Sequence, residues 1–493
     1  MKLRPVPIAF IILGAACFAF AACSAAPSSG TFQTTAASSG AGGDGAGGTD
    51  PSGTGGTTFS TGITVGGGCA SHCSSDLHSV LDCNGNVLST CAADQGCGPS
   101  GCVPACESAK LNKSSIGCDY YSVDPDIIPD AAGACFAAYI ANTWTLPVSI
   151  TVERAGQSLD VSSFARIPSG NGKALSYAPL PGGQLPPGQV AILFLARFGS
   201  TLVGCPPGIP PAYTTTDAAV HGTGLGSAFH ITTSAPVVAY DIFPYGGGQS
   251  AATSATLLLP TTAWDTNYIA VDAFRKSQLV PIAQPSIDIV AAEDGTTVTI
   301  NPTAAIQGGI GVAGTGKGVP QTYSLSQGQI LQLTQNEELI GSAIQSNKLI
   351  GIWGSATCLN IDVGVSACDS AHQQIPPIRA LGHEYVAVRY RNRFDGTEES
   401  PPWRLVGAVD GTTLAYEPAP PAGAPLALVQ GQVAEFRAPG PFTVKSQDGS
   451  HPFYMSAHMT GSEEVWHPMP TRASRVRPSA LASRRASGLA QYV

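Results

Sequence analysis

"LSQGQI" occupies residues 325–330, and the same Leu-x-x-Gly-Gln-(Val/Ile) pattern returns as "LPPGQV" at 185–190 and "LVQGQV" at 428–433. Three copies admit two readings: a ligand loop used three times, or punctuation in a repeated fold. The flanking residues decide between them. "YYSVD" begins at Tyr120, "YIAVD" at Tyr268 and "YVAVR" at Tyr385, each opening an alternating apolar run of strand type. Pro260 and Pro377 precede the second and third of these tyrosines. Next come "EDGTTVTI" (293–300) and "VDGTTLAY" (409–416), where Asp-Gly signals a turn into a β-rich segment; "TWTLPVSITV" holds that place in the first copy. The Gly-Gln pattern follows. Last come "GSAFHITTSAPVVAYDI" from Gly226, "GSAIQSNKLIGIW" from Gly341 and "FTVKSQDGSHPFYMSAH" from Phe442.

Four marks in one order, three times over, predict a triplicated β unit. The expected fold is all-β, with tandem β-sandwich-like repeats over 118–464 divided at about 118–267, 268–384 and 385–464. Units of roughly 100–150 residues are too long for single propeller blades. On this reading Gly188, Gly328 and Gly431 supply a turn, and Val190, Ile330 and Val433 begin a strand.

The flanks are of other kinds. Lys2 and Arg4 precede "IAFIILGAACFAF", an export signal over 1–22 too short to span a bilayer comfortably. Ala21, Ala22 and Cys23 resemble a bacterial lipobox, which implies lipid on Cys23; Phe20 stands where that pattern usually has Leu. Residues 23–68 are nearly all Ser, Gly, Ala, Thr and Pro and read as a disordered linker, which as a coil spans roughly 40 Å. An exported, lipid-anchored protein at the outer membrane or cell surface is expected. Residues 465–493 carry five Arg and no acid and read as a disordered tail. The chain's net charge is −9, so the part between signal and tail is the more acidic, which argues against a nucleic-acid partner.

Of 14 cysteines, eight fall between 69 and 118: Cys69, Cys73, Cys83, Cys91, Cys97, Cys102, Cys106 and Cys118. An exported chain favours disulfides over zinc, and a small disulfide-rich module is expected over 69–117 with its connectivity open. Cys358 and Cys368 bracket a short loop and are expected to pair; Cys135 with Cys205 is the further pairing expected.

The order of marks resembles the N-terminal domain family of IgGFc-binding proteins. The residues that carry the resemblance are "GCDYYSVDPD" (117–126), "YIANTWTLPVSITV" (139–152), "ITTSAPVVAYDI" (231–242), "LLLPTTAWDTNYIAV" (257–271) and "CLNIDVGVSACDSAHQQIPPIRALGHEYVAV" (358–388). They span about 117–464. The resemblance implies an extracellular binding or adhesive module for a protein or glycan ligand, and not an enzyme.

Catalytic motifs are incomplete. "GVAGTGKG" (311–318) lacks the Ser or Thr that a phosphate loop places after its Lys, and Gly318, Val319 and Pro320 oppose the helix that must follow. "GTGLGSAF" (222–229) has no βαβ setting. "HEYVA" (383–387) lacks the second His of a zinc protease. Asp124, Asp126 and Asp130 lack calcium-loop order and read as a solvated turn. Glu398–Glu399 and Glu463–Glu464 read as surface pairs, and Trp144, Trp264, Trp353 and Trp403 as packing residues. No catalytic residue, metal or cofactor is expected. A secreted hydrolase and a structural envelope protein are the alternatives.

Overall fold

A computed structural model describes residues 71–199, 203–246, 253–278, 280–361, 369–393, 398–460 and 489–491. The signal, Cys23, the linker, Cys69 and Cys368 lie outside the described residues, as does the tail except for 489–491.

The structure is nearly all β, in three units built on one plan. Each unit has a long crossing strand that pairs with one sheet through its first half and with another through its second. In the first unit this strand is Phe229–Phe243. Its start pairs with Gly117–Ser122 and Val148–Arg154, and its end with Phe136–Ala141 and Ser254–Leu258. In the second unit it is Ala343–Leu359. Here the partners are Asp265–Ile269 and Thr296–Asn301 at the start, then Pro285–Ala291 and Asp369–Ile375. The third unit breaks the strand in two. Phe442–Ser446 pairs with Glu384–Ala387 and Thr412–Glu417, and Phe453–His458 pairs with Pro402–Gly407 and Leu489–Gln491. Within the stretch expected to be a disordered tail, Leu489–Gln491 therefore fills the closing-strand position that 254–258 and 369–375 fill in the other units.

Alternation along the strands sets the two-layer packing. "TTVTIN" (296–301) and "TTLAYE" (412–417) bury every second residue, the mark of a half-solvated sheet. Pro285–Ala291 and Pro402–Gly407 are instead buried on both faces. Their inner faces meet their own cores and their outer faces meet the preceding unit, so these strands form the seams between units.

One tyrosine fixes each unit's plan. Tyr120, Tyr268 and Tyr385, on the opening strands, are buried. Their hydroxyls donate to the carbonyls of Val237, Ile350 and Phe453 at 2.6, 2.7 and 2.7 Å, where the crossing strand changes sheets.

Ahead of the first unit, two small sheets and the helix Ala105–Asn112 form a module held by the disulfides Cys73–Cys97, Cys91–Cys102 and Cys106–Cys118. Cys83 is also disulfide-bonded. The Cys106–Cys118 bridge joins the helix to the opening strand of the first unit. Trp144 of that unit donates its Nε1–H to the Ala93 carbonyl at 2.8 Å.

Candidate functional site

The Gly-Gln pattern forms the same turn in all three units. Gly188, Gly328 and Gly431 have φ of +69°, +68° and +75°, the left-handed conformation a type II turn requires at its third residue. The next residue closes each turn by donating its N–H to Pro186, Ser326 or Val429. The glycine N–H donates to Asn142, Ala291 or Gly407, at the end of the second strand.

The glutamines serve their own turns. Gln329 Oε1 accepts from Ser326 N–H at 3.1 Å, and Gln432 Oε1 from Val429 N–H at 3.0 Å. In the first copy the equivalent residue is Pro186, which has no N–H to give. The Asp-Gly mark reaches the same turn: Asp294 and Asp410 accept from Gln327 and Gln430 N–H, both at 2.9 Å. Amide side chains from the crossing strand region complete it. Asn347 and Gln447 accept from Thr297 and Thr413 N–H at 2.7 and 2.8 Å. These marks spend their polar groups on one another.

The turns also join units. Ala228, in the first unit's Gly-Ser-Ala mark, donates its N–H to Gly328 O at 2.9 Å. Gly341, in the second unit's mark, lies so close to Gly431 that a Cβ on it would stand 2.0 Å from the Gly431 carbonyl oxygen. The same two marks meet at both seams.

Behind the turns lie two buried polar clusters. At the first seam Asp126 accepts from His221 Nδ1 at 2.8 Å, Gly222 N–H at 2.9 Å and Gln332 Nε2 at 3.0 Å. Asp217 holds the other ring nitrogen of His221 at 3.2 Å. Bonding to Asp126 and then Asp217 raises the His221 pKa to about 10. Asp124 and Asp126 are buried, which corrects the expectation of a solvated turn: the segment packs into the seam, and only Asp130 is exposed. At the second seam Arg404 makes a two-armed pair with Glu338 at 2.6 and 2.8 Å. Glu435 stands 3.2 Å from Arg404 Nε and pairs with Arg275 at 2.8 Å.

The remaining motifs are structural. "GVAGTGKG" lies in the hairpin-like loop 302–320, with Ile306 and Thr315 exchanging backbone bonds and no helix following. Glycines in and beside the motif permit close packing, since a Cβ on Gly314 would meet the Ile306 carbonyl and one on Gly309 the Thr223 carbonyl. "GTGLGSAF" contains the strand Gly224–Ser227, paired with 329–332. In "HEYVA" Tyr385 is buried and Glu384 exposed. Glu399 is buried against Arg393 and Tyr390, and Glu463–Glu464 lie outside the described residues. Trp144, Trp264, Trp353 and Trp403 are buried. Among the described residues, no group of three or more His, Cys, Asp or Glu is placed to hold a metal, and no helix is long and apolar enough to cross a membrane.

Cys135 and Cys205 form a disulfide with Cα atoms 4.9 Å apart. Cys358 is disulfide-bonded. Its expected partner, Cys368, is outside the described residues.

One slot differs among the units: the segment between the Asp-Gly strand and the Gly-Gln turn. It is 155–183 in the first unit, 302–320 in the second and 418–426 in the third. Loop 302–320 is pinned at Tyr323, whose hydroxyl donates to Ala313 O at 2.9 Å, and presents Ile310 91% exposed at its tip. Leu426 is 62% exposed in the third unit's loop. Sequence reading passed over Ile310 because a single Ile among glycines carries no periodic signal.

No curated protein and no solved structure matches the chain. The resemblance drawn above began near 117, whereas the family-model match begins at the closing strand of the first unit. Residues 254–480 match the family model described as IgGFc binding protein.

Proposed function

We propose that the chain is a cell-surface binding or adhesion module for an extracellular protein or glycan, anchored through lipid on Cys23, and not an enzyme. The observation that carries this reading is the IgGFc-binding match across the second and third units. The repeated polar residues are engaged in turns and seams, which directs ligand contact to the slot loops on a rigid scaffold. Ile310, Val319 and Leu426 are exposed apolar side chains offered there. The disulfides fit an oxidising compartment.

The test is saturable binding of the purified ectodomain to arrays of envelope and mucus glycans and to extracellular proteins. Binding that Ile310→Asp weakens supports the reading. Absence of any saturable partner, together with measurable hydrolysis of a glycan or peptide, overturns it in favour of a secreted hydrolase.

A further inference from the structure

The two seams solve one packing problem with opposite charges. Asp288 stands six residues before Asp294 of its Asp-Gly turn, and Arg404 stands six before Asp410. They are the same position in successive units, on strands buried on both faces. Arg404 meets Glu338 and Glu435, and the facing acid Asp272 accepts from Leu339 N–H at 2.6 Å through one oxygen while Oδ1 has no donor; burial holds that one carboxyl well above the ordinary range, with Arg404 opposing. Acids and arginines are interleaved there.

The first seam has no such cation at its centre. Asp288 Oδ2 accepts from Ser355 at 3.0 Å and lies 3.7 Å from His372 Nε2. The neighbouring strands bring Gln332 and Trp353 directly opposite it. Asp126 of the first unit is the charged group facing it across the seam. Asp241 of the first unit accepts from Ser122 at 3.1 Å. Asp124 faces Asp217, Asp241, Arg154 and His221. Oδ1 of Asp124 and Oδ1 of Asp288 have no donor. Five carboxyl groups, Asp124, Asp126, Asp217, Asp241 and Asp288, thus share the cations Arg154 and His221. His372 is buried and does not help, because burial lowers its pKa to about 3. A buried carboxylate without a cation or a full set of donors is costly.

We propose that the seam between the first and second units is a proton-dependent joint, closed while Asp288, Asp241 and Asp124 carry protons and loosened when they ionise. Burial raises Asp288 to about 7 and Asp241 to about 8, and holds Asp124 well above the ordinary carboxylate range. The change therefore falls near neutral pH.

Hydrogen exchange of the full chain, corrected for intrinsic rates, tests this at about pH 5 and about pH 9. The expected result is about tenfold or greater loss of protection at 117–126, 285–291 and 350–357 on the alkaline side, where tenfold corresponds to about one pKa unit of linkage. Protection at 402–407 and 453–458, where the single acid Asp272 stands beside Arg404, should fall markedly less. Asp288→Asn should flatten the response at the first seam. If that variant fails to fold, Asp241→Asn, which keeps an acceptor for Ser122, serves in its place. Equal responses at both seams, no response at the first, or a response unchanged by the foldable variant overturns the proposal.

Discussion

Gly341→Ala should damage the seam between the second and third units far more than the same change damages an open turn. Two costs add at Gly341. Its φ of +82° is one that Ala adopts only with strain, about 1–2 kcal/mol. Its new Cβ would stand 2.0 Å from the Gly431 carbonyl oxygen, a backbone atom that moves only if the seam parts. Overpacking of that kind adds about 1–3 kcal/mol. Gly188 isolates the first cost: φ is +69° and nothing lies within 4 Å of its Cβ position. Gly328 falls between, with Tyr121 Cε1 3.3 Å away on a ring that must shift. The expected order of destabilisation is Gly188→Ala below Gly328→Ala below Gly341→Ala, with about 2 kcal/mol between the extremes. Region-resolved hydrogen exchange gives the opening free energy on each side of a seam without assuming that three units unfold together. Equal losses for Gly341→Ala and Gly188→Ala would refute the docking role of the turn.

Tyr268→Phe should cost about 1–2 kcal/mol in urea denaturation by leaving the buried Ile350 carbonyl without its donor; no measurable loss would mean that the hydroxyl does not hold the crossing point. His221 has a folded pKa above its unfolded value, so its stabilisation is complete below about pH 6.5 and is lost as pH rises through about 10. With its ring 47% exposed, the difference between wild type and His221→Gln should be about 1–2 kcal/mol at neutral pH and vanish in strong alkali. A difference that grows with pH would contradict the sign. Cys23→Ala should release the protein from membranes, and unchanged fractionation would exclude lipid anchoring. Non-reducing peptide mapping should find Cys358 joined to Cys368; recovery of both as free thiols would exclude the pair.

The all-β fold and the disulfide-rich module were legible because their signals are local and repeated. Tyrosine openings, Asp-Gly turns and Gly-Gln turns each need particular residues for a backbone reason, and three copies separate such requirements from chance. The single crossing strand was not legible. "GSAIQSNKLIGIW" reads as two strands about a polar turn, yet the structure runs it as one strand from 343 to 359 that changes partners at Ile350. Only in the third unit, where 447–452 intervenes, does the chain part. Exchange of pairing partners is a tertiary property, and no residue type marks it.

The buried acids were missed for a related reason. "VDPDIIPD" has the composition of an exposed turn, and in isolation two prolines and three aspartates belong in water. Their burial depends on residues far away in sequence: Gln332 and His221 for Asp126, and Asp217, Arg154 and Asp241 for Asp124. A clue was nevertheless printed in the repeat. The opening marks end in Asp124, Asp272 and Arg389, and the second-strand position reads Asp288 and then Arg404, so charge changes sign between copies while the apolar pattern stays the same. Of these, Arg404 takes Glu338 from the preceding unit as its partner, whereas Asp288 is held by Ser355 and Arg389 by Asn392, each of its own unit. The glycine and glutamine of the Gly-Gln turn are fixed by the turn they make, and what varies around it is the surface against which each copy is set.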